Sequence, residues 1–107
     1  MNNHRIGLKN ELRLRKELEK LGWLTEHKPW SRYGGKDFWG IFDIVALRNG
    51  EVSAIQVKTN DAKRLEVWLK YQKVKRHIPK SWNCQLWVWK GRQGWVTIDF
   101  ADLRKFK

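Results

Sequence analysis

Residues 38–59 read FWGIFDIVALRNGEVSAIQVKT. Two apolar, β-branched runs, Phe38 to Arg48 and Glu51 to Thr59, meet at Asn49-Gly50. Both residues of that pair tolerate the left-handed backbone of a two-residue mirror-image turn, so the stretch predicts a β-hairpin. In the first run Ile41, Phe42, Ile44, Val45, Ala46 and Leu47 are nearly continuous. Without the alternation of a half-exposed strand, they predict a strand covered on both faces. A two-residue turn also sets the register: Arg48 pairs with Glu51, Asp43 falls opposite Gln56, and Ile41 falls opposite Lys58. Opposed side chains share a face with Cβ atoms ~5 Å apart. Asp43, Gln56 and Lys58 are therefore expected on one patch. Each interrupts an apolar run, where a charged group is costly unless paired or bound to a cation.

On the N-terminal side, residues from about Arg5 to Leu21 predict a helix. Leu8, Leu14, Leu18 and Leu21 recur at helical spacing and Gly22 is its stop signal. At ~100° per residue, Glu11 falls between Leu18 and Leu8, near the middle of the apolar arc. A carboxylate aimed at a core is a functional flag; the structural alternative pairs it with Arg15 one turn on. A strand from Trp23 to about Lys28 precedes Pro29, and Ser31 to Lys36 read as a glycine-rich loop.

On the C-terminal side, a second helix is expected from about Asp61 to Ile78, with Asn60 or Asp61 as N-cap and Pro79 closing it. Its wheel carries two apolar stripes. Ala62, Leu65, Trp68, Leu69 and Gln72 are expected against the sheet, and Val67, Tyr71, Val74 and Ile78 against a partner, since a monomer's surface helix needs only one stripe. The alternative is a helix that breaks near Tyr71, with its tail on the C-terminal strands. Strands from Trp82 to Lys90 and from Trp95 to Phe100 follow, around Gly91 and Gly94. The order αβββαββ predicts an α/β fold with a mixed central sheet flanked by helices. With 107 residues and no repeat or linker, one domain spanning 1–107 is expected.

Composition narrows the class of function. The chain carries 23 Lys+Arg against 11 Asp+Glu, a net charge of +12, which favours a polyanionic partner, nucleic acid first among them. Eight Trp and 41% hydrophobic residues exclude a disordered basic tail. Trp82, Trp87, Trp89 and Trp95 fall on both faces of predicted strands, which suits a core better than an RNA-stacking sheet. The single Cys84 makes no internal disulfide, and His4, His27, His77 and Cys84 lack zinc-ligand spacing. No run approaches membrane-spanning length and no apolar segment follows the N-terminal residues, so a cytoplasmic protein without a membrane partner is expected.

Glu11 on the first helix, Gly40-Ile41-Phe42-Asp43-Ile44-Val45-Ala46, and Ile55-Gln56-Val57-Lys58-Thr59 thirteen residues beyond Asp43 together resemble the PD-(D/E)XK nuclease superfamily. Within it the chain is most similar to archaeal-type Holliday-junction resolvases, over about residues 5 to 78. The resemblance implies a restriction-endonuclease-like fold and a Mg²⁺-dependent endodeoxyribonuclease, with Mn²⁺ as a substitute. Its substrate would be a Holliday junction or other branched DNA, in recombination or repair. Asp43 takes the position of the central metal ligand, Gln56 that of the usual second acid, Lys58 that of the motif lysine, and Glu11 that of the helix acid. Ser31 lies in the loop where such resolvases often carry a serine near the scissile phosphate.

The resemblance thus implies Glu11, Asp43, Gln56 and Lys58 as catalytic residues, with Glu11, Asp43 and Gln56 on the metal. Arg5, Lys9, Ser31, Arg32, Lys36, Lys58 and Lys63 are the expected nucleic-acid contacts, and a homodimer supplies paired cuts for a symmetric junction. One departure is serious: Gln56 is neutral where the family has an acid. Two carboxylates still remain, which suits Mg²⁺, and Asp37, Glu26 or Glu51 are candidates to compensate. Two rival readings stand beside the enzyme: a catalytically silent nuclease-fold module that binds DNA for a partner, and a plain basic nucleic-acid-binding protein.

Overall fold

The computed structural model describes the backbone of residues 3–27 and 37–105, and side chains from 6 to 27 and from 37 to 104. The predicted glycine-rich loop, with Ser31, Arg32 and Lys36, lies outside the described residues, as does Lys28. The element order is α1 (Asn3–Lys20), β1 (Leu24–His27), β2 (Ile44–Arg48), β3 (Glu51–Thr59), α2 (Arg64–Val74), β4 (Asn83–Trp89) and β5 (Trp95–Asp99), with a closing 3-10 helix at Phe100–Lys105. The sheet runs β1-β2-β3-β4-β5. Its β3–β4 pair is parallel and the other three pairs are antiparallel. The expected αβββαββ mixed sheet forms.

Helix α1 covers one face. Leu14 and Leu18 are buried against Ile44, Ala46, Ile55 and Val57, while Leu8 and Leu21 remain exposed, so the apolar arc is narrower than its leucines suggest. Gly22, at φ 92°, ends the helix. Its N–H donates to Glu19 O and the Trp23 N–H donates to Leu18 O, the paired bonds of a glycine-terminated helix. None of the helices among the described residues is long and apolar enough to cross a membrane.

The other face is closed by α2 and the final 3-10 helix. Val67, Phe100 and Leu103 pack with Ile41, Phe42, Ala54, Leu86 and Val88. The stripes of α2 only partly follow expectation: Ala62 and Trp68 of the first do pack on this core, but so does the second. Val67 is fully buried and Tyr71, Val74 and Ile78 pack on the same core, whereas Leu65 and Leu69 are exposed. The helix is also shorter than predicted. Asp61 Oδ1 accepts the Lys63 N–H at 3.0 Å, a side-chain turn that holds residues 61–63 outside the helix, and Lys75–His77 tighten into a 3-10 turn. With its axis ended at Val74, the chain delivers Ile78 to the core, in line with the alternative of a tail folded onto the C-terminal strands. The 3-10 helix bearing Leu103 was not expected, because six residues are too few for a period to declare itself.

The hairpin register is as predicted where the strands pair: Arg48 faces Glu51 and Ile44 faces Ile55. Asn49 and Gly50 adopt φ of 50° and 82°, as the tight turn requires. The ladder does not extend to Ile41, so the expected Ile41–Lys58 pair is absent. Residues 38–42 fold back instead as a second turn, bridged between Phe38 and Phe42. That turn sends Ile41 and Phe42 into the core beneath α2.

Candidate active site

Asp43 stands where the second turn rejoins β2. Its N–H donates to Ile55 O at 2.8 Å, just outside the last ladder pair, Ile44–Ile55. The Asp43 and Gln56 side chains meet: Gln56 Nε2 donates to Asp43 Oδ2 at 2.7 Å, and the Val57 N–H donates to the same oxygen at 2.8 Å. Asp43 is 2% exposed, Gln56 4% and Glu11 6%. Burial first, then a hydrogen bond shared with the Asp37 carboxyl and the charge of Glu11, push the Asp43 carboxyl up to about 8 against the opposing pull of the Val57 N–H. Two further carboxyl groups, Asp37 and Glu11 of α1, thus act on Asp43.

Two oxygens of this cluster, Asp37 Oδ1 and Gln56 Oε1, are buried without a hydrogen-bond partner. An unmade bond of that kind costs about 1–3 kcal/mol. The Gln56 amide presents N–H to Asp43, and its nitrogen also lies 3.4 Å from Val57 O. An N–H donor therefore occupies the space between two oxygens. Half a turn of the amide exchanges its nitrogen for Oε1 and gives a set of oxygens of the kind that hard divalent cations prefer. Among the described residues no three His, Cys, Asp or Glu side chains converge on one point. The donor set fits a cation that takes one or two carboxylates, an amide oxygen and water.

Lys58 is brought to the same end of β3 but engages a different partner. Its ammonium donates to Glu66 Oε1 at 3.0 Å, and Lys70 reaches the same oxygen at 3.3 Å. The hydrogen bond from Lys58 holds the Glu66 carboxyl below its ordinary value. Glu66 was not singled out in the sequence, since a glutamate on an exposed helix flank gives no sign of its partner on a strand.

Of the three candidate compensating acids, Asp37 reaches Asp43, while Glu26 and Glu51 are exposed on other parts of the sheet. Arg15, the alternative partner for Glu11, bonds Thr25 and His27 and lies 4.0 Å from Glu19. Asn10 is a further residue that the sequence did not reveal: it is 3% exposed and its Nδ2 donates to Thr59 Oγ1 at 2.7 Å. A polar residue beside Glu11 on the same apolar arc was the available signal.

A cleft of about 430 Å³ opens beside Lys58, walled by Ile6, Gly7, Thr59 and Lys63 among others. A neighbouring hollow is lined by Lys9, Asn10 and Arg13. Lys9 and Lys63, both exposed, thus flank the C-terminal end of β3. Arg5 lies on α1, with its side chain outside the described residues.

The fold is similar to a solved structure of Archaeoglobus fulgidus Hjc, a Holliday junction resolvase from an archaeal hyperthermophile. The TM-score is 0.62 at 18% identity, over 89% of this chain and 73% of that one. Likeness at this identity establishes the α/β fold. No protein-family model and no curated protein matches the sequence.

Proposed function

We propose that this protein is a metal-dependent endodeoxyribonuclease of the PD-(D/E)XK type that hydrolyses phosphodiester bonds in branched DNA. The observation that carries the reading is the buried Asp43–Gln56 pair, with two orphaned oxygens and a neighbouring Glu11 at the end of one hairpin. A purely structural site has no reason to bring Asp37 and Glu11 where they raise the proton affinity of the Asp43 carboxyl. The resolvase-like fold and the charge of +12 support the same direction.

Asp43 and the Gln56 amide oxygen would hold a Mg²⁺ ion, with Glu11 and Asp37 adding negative charge directly or through water. When bound, that ion polarises the phosphate and acidifies the attacking water. In the hydrolysis, water attacks phosphorus, the bond to the leaving sugar oxygen breaks, and that oxygen takes up a proton. Lys58, aligned by Glu66, offsets negative charge on the phosphoryl oxygens. Lys9 and Lys63 hold the flanking backbone by charge and position the scissile group without reading sequence.

A second reading has its own observation. The Gln56 N–H satisfies Asp43 without any cation, as a silent DNA-binding module would require. Incubation with four-way junction, flap and linear duplex DNA under Mg²⁺, Mn²⁺ or EDTA separates the two. Metal-dependent cleavage, stronger on branched DNA, is the expected outcome. Salt-sensitive binding without cleavage of any DNA selects the silent module.

A further inference from the structure

The turn that delivers Asp43 also carries Trp39, and that residue is placed against the usual rules. It is 60% exposed. Its φ is 54°, followed by 74° at Gly40, and the Ile41 N–H closes the turn on Phe38 O at 3.1 Å. Asn, Asp or Gly normally fills the first of two such left-handed positions. A bulky aromatic there is strained, because its Cβ crowds the neighbouring carbonyl. Backbone held in this way marks a residue kept for its side chain.

The side chain forms one wall of a cavity of about 330 Å³, completed by Val74, His77, Ile78, Pro79 and Trp82. The Trp39 and Trp82 rings stand 6.0 Å apart, inclined by 49° and not stacked on each other, and Trp39 is also held by Phe38 and Phe42. Among the described residues no carboxylate lines the cavity. Between Glu66 and Asp99 the sequence has seven Lys or Arg residues and not one acid, and Lys73, Arg76 and Lys80 are exposed around the cavity's own segment. An aromatic slot flanked by exposed Lys73, Arg76 and Lys80 matches a flat ring attached to a polyanion.

We propose that the Trp39–Trp82 slot stacks an unpaired nucleobase of the bound DNA, while the same turn holds Asp43 for the backbone. This inference rests on the DNA reading above and predicts a preference for DNA with a single-stranded arm or frayed end, because fully paired DNA offers no base to insert.

The experiment uses the full chain in EDTA, so that cleavage plays no part. Affinity is measured for a blunt duplex and for the same duplex with a single-stranded arm carrying a fluorescent base analogue. Trp39→Ala should lose roughly 5- to 100-fold in affinity for the armed DNA, with the blunt duplex unchanged and the analogue's quenching abolished. Trp39→Phe should retain most of both. Trp39→Asn serves as the folding control, because asparagine relieves the strained turn: it should melt no lower than wild type and still lose the armed-DNA preference. A Trp39→Ala protein that binds both DNAs as wild type overturns the slot while the DNA reading stands. The same follows if the variant lowers only the mass measured by light scattering, which would make the slot a contact between two copies. A wild type that binds neither DNA removes the DNA reading itself.

Discussion

Two polar clusters touch the inner side of α1, and they differ in how their charges balance. Between α1 and β1, Arg15 sits among Thr25, His27 and Glu19, and the Thr25 hydroxyl donates to Glu19 Oε2 at 2.6 Å. One cation, one anion and two polar groups close on themselves. At the far end of the hairpin, Asp43 bonds the Gln56 amide and feels the Asp37 and Glu11 carboxyl groups, with two oxygens unsatisfied. The closed cluster fastens helix to sheet. The other leaves two buried oxygens, Asp37 Oδ1 and Gln56 Oε1, without a hydrogen-bond partner, and under the proposed function it is the one that would take a cation.

Substitutions that exchange the behaviour of the two clusters test this contrast. The largest effect is expected at Asp43. Asp43→Ala should lower cleavage by at least about 100-fold, beyond the range seen when outer-shell partners of a metal are removed. DNA binding should stay within a few-fold of wild type, because phosphate contacts come from the basic surface; gel-shift and cleavage assays on one junction measure both. Arg15→Ala should do the reverse. It should cost about 1–3 kcal/mol in urea unfolding and leave the cleavage rate of the folded protein unchanged. A drop in rate for this variant would merge the two clusters into one.

Gln56→Glu sharpens the contrast by opening the second cluster further. In EDTA it should melt lower than wild type, since another acid joins a crowded group. Added Mg²⁺ should reverse the order and lower the metal concentration needed by roughly tenfold. Calorimetric titration with Mn²⁺ gives the affinity independently of cleavage, and a weaker affinity in the variant would show that the neutral amide has its own role.

The smallest expected effect is in the pH dependence of melting without metal. The folded Asp43 carboxyl titrates at about 8 against an ordinary 3.8, so the folded state holds a proton that the unfolded state has released. Its stabilisation is full below 3.8 and is lost as pH rises towards about 8. Asp43→Asn should therefore flatten the fall of Tm across that window. An unchanged slope would place the proton elsewhere.

Much of this arrangement is written in the sequence, and the parts that are not have common causes. The hairpin, its turn and the Asp43–Gln56 adjacency follow from Asn49-Gly50, because a two-residue turn and a period of two leave the register no freedom. Glu11 is visible because a carboxylate in a leucine arc breaks a pattern. The Phe38–Phe42 turn is hidden: tryptophan at its first left-handed position is the residue that turn chemistry argues against, so an apolar run reads straight through it. The two stripes of α2 are both apolar, so the sequence does not show that Val67, Tyr71, Val74 and Ile78 join Ala62 and Trp68 on the core while Leu65 and Leu69 stay outside. Lys58–Glu66 joins a strand to a helix, and no local spacing announces such a pair.

The Asn49–Gly50 turn has a consequence for the order of assembly. The groups at the heart of the site, Asp43 and Gln56, are thirteen positions apart and come together through a hairpin that closes on microseconds. The parallel β3–β4 pairing has to wait for the α2 crossover to be laid down, a longer loop that is slower to form. The site's geometry is thus settled early and locally, before the core beneath α2 has closed over Phe42. One residue inserted between Asn49 and Gly50 would slip the strands by one position and turn one of them over. Asp43 would then face away from Gln56 in a chain whose composition had hardly changed.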